Sequence, residues 1–157
     1  MRIGQGVDAH RFADEPGRVL MLGLVEVAGS PGLAGHSDAD VATHALCDAL
    51  LGAANLGDLG RHFPSSDPST AGISSRSMLE RVVELVGGAG LAAVSADLTI
   101  LAERPALSAL LGEMSTRLSG VVGCVVSVKA TTTDTLGALG RGEGIAAMAV
   151  ALLADSQ

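Results

Sequence analysis

The chain has almost no aromatic side chains: Trp and Tyr are absent, and Phe12 and Phe63 are the only phenylalanines. A core without large rings must be assembled from Ala, Val, Leu and Ile, each of which buries less area than an aromatic residue. With a hydrophobic content of 48%, such a core suggests that further apolar surface is covered between subunits, so an oligomer is expected. Positive charge is also scarce. Lys129 is the only lysine, and 10 Lys and Arg against 17 Asp and Glu give a formal net charge of −7. A nucleic-acid partner, which would leave a basic footprint, is therefore not expected. An anionic ligand would have to be held locally, by a metal ion, helix N-termini or a few cations. Cys47 and Cys124 have no C-x-x-C spacing and read as reduced, buried thiols of a cytoplasmic protein. No cationic, apolar signal segment opens the sequence. The apolar run from Ile145 to Leu153 is too short to cross a bilayer as a helix, so a soluble protein without a membrane partner is expected.

At 157 residues the sequence fits one domain, residues 1–157, within the usual range of roughly 100–200. Such a chain can bury about 68–70% of its unfolded surface without staples. Residues 2–12, with Ile3, Val7 and Phe12 among polar positions, read as a strand, and 18–22 as a second. Gly29-Ser30-Pro31-Gly32 reads as a turn. Ser37 followed by Asp40 signals a helix start, and Val41, Ala45, Leu46, Ala49, Leu50 and Ala53 continue it over 38–54. Its free first-turn amides would suit a phosphate oxygen. Residues 57–72 have loop composition, a helix follows over 75–87, and 91–102 reads as a strand. Pro105 at a first helical position predicts a third helix, 105–118. A strand over 123–130, a helical turn beginning at Thr131-Thr132-Thr133-Asp134 and a buried strand over 142–153 complete the chain. The expected class is α+β, with a mixed β-sheet covered by helices on one face.

Three of the four histidines lie in two acidic clusters, Asp8-Ala9-His10 and His36-Ser37-Asp38-Ala39-Asp40 through His44. Imidazole and carboxylate suit Zn²⁺, and a catalytic zinc site needs three protein ligands and an open position. Asp8 and His10, two apart on a strand, share a face, and Val7, Ala9 and Phe12 add apolar surroundings. Asp40, four residues before His44 on a helix, could orient its imidazole. His44 alone would read as an ordinary helix histidine; beside Asp8, His10 and Asp40 it reads as a ligand. His36 could be merely solvated, and His62 has no partner in sequence. Thr131 to Asp134 could be only a cap, or several donors converging on phosphate with Asp134 reaching a hard cation such as Mg²⁺. Gly140-Arg141-Gly142-Glu143-Gly144 reads as a turn whose Arg141 could pair bidentately with a phosphate.

Taken together, these segments resemble the 2-C-methyl-D-erythritol 2,4-cyclodiphosphate synthases of the non-mevalonate isoprenoid pathway. The matching stretches run nearly end to end: Met1 to Gly4, Asp8 to Phe12, His36 to Asp40 with His44, Asp48 to Ala54 and Gly57 to Gly60. They continue through Phe63-Pro64, Asp67-Pro68, Lys129 to Thr133 and Gly140 to Ala146. The resemblance implies a lyase acting on a cytidine diphosphate ester of methylerythritol 2-phosphate, releasing CMP and a cyclic diphosphate. It implies a homotrimer with sheets facing the trimer axis and active sites between subunits. By the same resemblance Asp8, His10 and His44 hold Zn²⁺, and Asp134 holds Mg²⁺ or Mn²⁺ bound with the substrate diphosphate. His36 and Thr132 match positions that hydrogen-bond the reacting phosphates and stabilise the transition state, and Ser37 a substrate-binding position. Asp58, Leu59 and Gly60, with Phe63, Pro64, Ser65, Ser66 and Asp67, match the methylerythritol end. Ala102, Glu103, Arg104, Pro105, Ala106 and Leu107, with Thr131 and Thr133, match the cytidine pocket of an adjacent subunit, and Arg141 a phosphate contact. The chain departs from the family at Glu103, commonly Gln; at Ala106, commonly Lys; at Asp134, commonly Glu; and at Gly137-Ala138-Leu139, which often contains Phe. Two other readings of the metal cluster stay open from sequence: a phosphohydrolase that activates water, and a catalytically silent oligomeric metal-binding protein.

Overall fold

The computed structural model describes residues 1–67 and 72–156. Strand β1 (Arg2–Arg11) lies at one edge of a four-stranded sheet of order β1-β6-β4-β5, completed by β4 (Leu91–Leu101), β5 (Val125–Thr131) and β6 (Gly144–Asp155). β6 runs antiparallel to both β1 and β4, while β4 and β5 are parallel, so the sheet is mixed as expected. Helices α1 (Val41–Ala54), α3 (Ser75–Gly88) and α4 (Leu111–Val122) cover one face. Two-residue strands β2 (Met21–Leu22) and β3 (Val25–Glu26) pair in a separate hairpin, and α2 (Leu59–His62) and α5 (Gly137–Gly140) are single turns.

The covered face is built from small and branched residues. Ile145, Ala147, Ala149, Ala151 and Leu153 of β6 alternate inward and are essentially inaccessible, as are Leu98 and Ile100 of β4. Among the described residues no aromatic ring is fully buried, in line with the composition. On β1 the inward positions are Gly4, Gly6, Asp8 and His10, whereas Ile3 and Val7 are 73% and 55% exposed on the opposite face. The apolar residues of this strand therefore do not enter the core, and Val7 and Ala9 face away from Asp8 and His10 rather than surrounding them. The cause is steric. Helix α1 lies so close to β1 that a methyl group on Gly4 would sit 2.1 Å from the Ala49 carbonyl oxygen. Val7 pairs in register with Met148, and Val150 lies beside them, so the outer face of β1 and β6 is also apolar.

Several sequence expectations shift. The strand over 18–22 contracts to Met21–Leu22, and the loop over 57–72 contains α2. Residues 68–71 of that stretch lie outside the described residues. The third helix begins at Leu111, not Pro105, because the periodic stripe that meets the sheet is Met114, Leu118 and Val122. It ends at Gly123 in the left-handed region, φ 82°. The helical turn expected from Thr131 does not form there: Asp134 and Thr135 have φ of 50° and 66°, incompatible with a right-handed turn, and the helix begins at Gly137. Cys47 is fully buried and burial pushes its thiol well up, so it is inert, while Cys124 is half-buried.

Asp40 is the N-cap of α1, not an orienting partner for the His44 ring. Its fully buried carboxylate accepts from the Thr43 amide (3.0 Å) and hydroxyl (2.7 Å) and from the Gly23 and Leu24 amides (both 2.8 Å). The Thr43 amide, expected to be free for a phosphate, is thus occupied. Gly23 and Leu24 form the β2–β3 turn at φ 56° and 65°, a conformation unfavourable for leucine that Asp40 holds from both amides. Replacing Asp40 with Ala leaves these buried donors unpaired, at about 1–3 kcal/mol per group before relaxation. We expect a net loss of about 2–3 kcal/mol. At roughly 2–4 °C per kcal/mol this is a fall in Tm of roughly 5–10 °C, measured by calorimetry.

Candidate metal centre

The N-terminal half of α1 and the C-terminal half of β1 bring three donors together. One ligand atom each from Asp8, His10 and His44 lies within 4.8 Å of the others. Asp8 Oδ2 is 3.1 Å from His10 Nε2 and 3.0 Å from His44 Nδ1. In a tetrahedral zinc site with bonds near 2.0–2.1 Å, neighbouring donors stand about 3.3 Å apart, so this cluster has the spacing of a ligand set. The remaining ring nitrogens are engaged outside it: His10 Nδ1 with the Ala34 carbonyl at 2.5 Å and His44 Nε2 with Ser75 Oγ at 3.0 Å. A carboxylate and two imidazoles so oriented fit a borderline-soft divalent ion such as Zn²⁺.

Electrostatics agree. Burial alone would raise the Asp8 carboxyl, but hydrogen bonds and charge from His10 and His44 outweigh it and hold the group well below the usual carboxylate range. His10 is raised, chiefly by its hydrogen bond to Asp8, against the opposing effect of burial. An incoming cation must displace that proton, so binding is coupled to proton release.

The cluster opens into a cleft of about 300 Å³. Of the residues anticipated from sequence, Asp8, His10, His36, Ser37, His44, Leu59, Gly60, Phe63 and Ser65 line it. Asp58 stands at its margin as the cap of α2, accepting from the Arg61 amide. Pro64, Ser66 and Asp67 form the turn that follows Phe63, with the Asp67 amide bonded to the Pro64 carbonyl. Asp48 also lines the cleft and was not singled out as a site residue, although its spacing of four from His44 on one helix face could have revealed it. Burial holds its carboxyl above the ordinary range; the Leu59 amide opposes this, and the nearby charges of Asp58 and Asp8 add to it. Arg18 was missed as well. It donates to the carbonyls of Leu33, Gly35 and Ser37 and so fixes the segment that carries His36.

The other anticipated residues form a second group, which does not line this cleft within one chain. The Ala102 amide bonds to the Thr131 carbonyl, and Glu103 Oε1 accepts from the Thr133 amide (3.0 Å) and hydroxyl (3.3 Å) and from the Thr135 amide (3.2 Å). Because Glu103 acts only as an acceptor here, an amide oxygen of Gln would serve equally. Thr132 is exposed, its hydroxyl bonded to Asp134. Arg104 lies over the Phe12 ring and reaches the Gly142 carbonyl, and Arg141 pairs with Glu143. Pro105 is half-buried between exposed Arg104 and exposed Ala106, with Leu107 buried behind them. His62 bonds to the Leu56 carbonyl and has a structural role.

Fold and site define the class: an α+β protein whose candidate metal centre, one carboxylate and two oriented imidazoles, opens into a cleft. More particularly, the chain belongs to the YgbB family, whose sequence profile matches residues 1–154. It is 53% identical over 157 residues to the 2-C-methyl-D-erythritol 2,4-cyclodiphosphate synthase of Symbiobacterium thermophilum, covering 98% of this chain and 99% of that one. Among solved structures, the bifunctional IspDF of Campylobacter jejuni superposes with a TM-score of 0.91 at 34% identity, over 97% of this chain and 42% of that one. A 2C-methyl-D-erythritol-2,4-cyclodiphosphate synthase in a form bound to CDP superposes with a TM-score of 0.87 at 35% identity, over 98% of this chain and all (100%) of that one.

Proposed function

We propose that this protein converts 4-diphosphocytidyl-2-C-methyl-D-erythritol 2-phosphate to 2-C-methyl-D-erythritol 2,4-cyclodiphosphate. An oxygen of the 2-phosphate attacks the β-phosphorus, the bond from that phosphorus to the α-phosphate bridge breaks, and CMP leaves. The observation that carries this reading is the convergence of Asp8, His10 and His44 at a cleft, in a chain alike over its whole length to enzymes of that name.

Asp8, His10 and His44 would hold a divalent ion, Zn²⁺ by donor chemistry, that would supply Lewis acidity at a phosphate oxygen, and Asp134 would hold Mg²⁺ or Mn²⁺ that would neutralise the diphosphate. Phosphoryl transfer needs alignment and charge neutralisation more than covalent help from protein. Holding nucleophile and phosphorus close in one substrate gains further from proximity. His36 and Thr132 donate hydrogen bonds as charge develops on the transferring phosphoryl oxygens. Asp48 and Asp58, on the side of the cleft formed by α1 and α2, receive the methylerythritol hydroxyls, with the turn after Phe63 closing that end. Residues 102–107 and 131–133 read the cytidine base through backbone groups. Within one chain they lie apart from the metal cleft, and the active site is therefore completed by a neighbouring subunit. The outer sheet face bearing Ile3, Val7, Met148 and Val150 meets its copies about a threefold axis, which accounts for its apolar character.

The test is incubation of the purified protein with the cytidine-linked substrate, Zn²⁺ and Mg²⁺, followed by ³¹P NMR. Cyclic diphosphate and stoichiometric CMP, both abolished by a chelator, are expected. Inorganic phosphate or a linear product would instead make it a phosphohydrolase, and no CMP despite bound zinc a silent metal-binding protein. Replacing Thr132 with Ala is expected to lower kcat by about 10²–10³ while KM changes by only a few-fold, because its donor acts chiefly as charge develops. Steady-state kinetics decide; a raised KM with unchanged kcat refutes the assignment.

A further inference from the structure

The donors facing the candidate metal centre are held from behind, and the device behind His44 differs from that behind His10. For His10 it is a backbone carbonyl, Ala34, at 2.5 Å from Nδ1. A carbonyl only accepts, so Nδ1 keeps its proton, and it is Nε2, bonded to Asp8 at 3.1 Å, that loses its proton to an incoming ion and presents a lone pair. For His44 the partner is the hydroxyl of Ser75, which could either donate or accept.

Asp38 removes that ambiguity. Its carboxylate accepts the Ser75 amide at 2.9 Å through Oδ2 and the Ser75 hydroxyl, in a short contact, through Oδ1. The hydroxyl has one proton, and it goes to Asp38. Ser75 Oγ can then meet His44 only as an acceptor, which keeps a proton on Nε2, so that it is Nδ1 that gives up its proton, now donated to Asp8 at 3.0 Å, and turns a lone pair to an incoming ion. Ser37 Oγ also approaches His44 Nε2, but at 3.4 Å, and it already accepts from the Ala39 amide at 3.0 Å.

Helix capping does not explain the serine. Helix α3 is capped by Ser74, whose Oγ takes the Ser77 amide at 3.1 Å. Ser75 is completely buried behind His44, an unusual place for a hydroxyl with no task.

We propose that Ser75 and Asp38 are positioning residues for the metal centre: a hydroxyl–carboxylate relay that fixes the tautomer and ring orientation of His44 and ties the start of α3 to the ion. This inference rests on the reading of Asp8, His10 and His44 as metal ligands, and its test separates the two. The full-length wild-type protein and the variants Ser75→Ala, Ser75→Thr and Asp38→Asn, each freed of metal, are titrated with Co²⁺, following the visible ligand-field bands, and with Zn²⁺ in competition with a chromophoric chelator. Thermal unfolding of each metal-free protein is recorded in parallel.

Ser75→Ala is expected to weaken metal binding about 10–100-fold, the usual cost of losing an outer partner of a ligand, and to shift the Co²⁺ bands. Ser75→Thr, which keeps the hydroxyl, restores the wild-type spectrum, and Asp38→Asn weakens binding in the same direction as Ser75→Ala. A purely structural serine would lower the metal-free Tm and leave the bands unchanged. Wild-type affinity and spectrum in Ser75→Ala overturn the relay. Should Ser75→Ala fail to fold, Asp38→Asn decides by the same two readouts. Absence of Co²⁺ binding by the wild-type protein would overturn the metal reading itself.

Discussion

Replacing His44 with Ala is expected to remove bound Zn²⁺ and, with it, CMP release, while the protein stays folded. Zinc held by four protein ligands binds with roughly 10–16 kcal/mol at neutral pH, so each ligand carries about 2.5–4 kcal/mol. At 1.4 kcal/mol per tenfold, affinity falls by roughly 10²–10³. The loss should exceed that of any change behind the ligands, because Asp8 then keeps only one imidazole neighbour. In the metal-free protein the variant should also move the Asp8 carboxyl back toward its ordinary range, since one of the hydrogen bonds opposing the effect of burial is gone. The fold survives because Ala is the best helix former and the α1 cap at Asp40 is untouched. Metal analysis after dialysis, a CMP assay by chromatography and circular dichroism check these outcomes together. Undiminished CMP release in a folded variant would show that His44 is not a ligand.

The metal cluster was legible in sequence because its spacings are local. Asp8 and His10 share a strand face whatever else the chain does, and His44 follows a helix-start signal. The apolar period of α1 was equally readable. What could not be read was long-range or geometric. Ser75 meets Asp38 across 37 positions, and nothing in the composition of α3 marks one serine among several. Asp40 was assigned toward His44 by spacing alone, but as the N-cap its carboxylate turns back onto the Thr43 amide and hydroxyl, and two amides of the β2–β3 turn join them there. Pro105 carried a strong local signal for a helix start, overridden because the stripe that fits the sheet begins nine residues later, at Met114. The inward face of β1 was illegible for a related reason. Its pattern of Ile3 and Val7 against Gly4 and Gly6 reads as apolar-in, but the approach of α1 reverses it.

That reversal carries the second large prediction: Gly6→Ala should disable the fold and the metal centre together. A methyl group on Gly6 would lie 2.0 Å from the Ala45 carbonyl oxygen and 2.6 Å from the Ala49 amide nitrogen, both backbone atoms of α1. No side-chain rotation relieves such contacts, so β1 and α1 must separate. Overpacking a core usually costs about 1–3 kcal/mol where side chains can yield. With two backbone contacts at once we expect about 4 kcal/mol, a fall in Tm of roughly 10 °C or more. The same separation sets the 3.0 Å from Asp8 on β1 to His44 on α1, so whatever folded protein remains should bind zinc weakly even well below its Tm. Gly52→Ala is the control within the same helix. There the added methyl meets nothing nearer than the Gln5 carbonyl oxygen at 3.9 Å, and removing a helix-interior glycine is worth up to about 1 kcal/mol. Calorimetry and zinc titration on the pair test whether close approach, rather than glycine as such, builds the site. A Gly6→Ala protein with wild-type Tm and zinc affinity would show that the helix–strand distance does not set the ligand geometry.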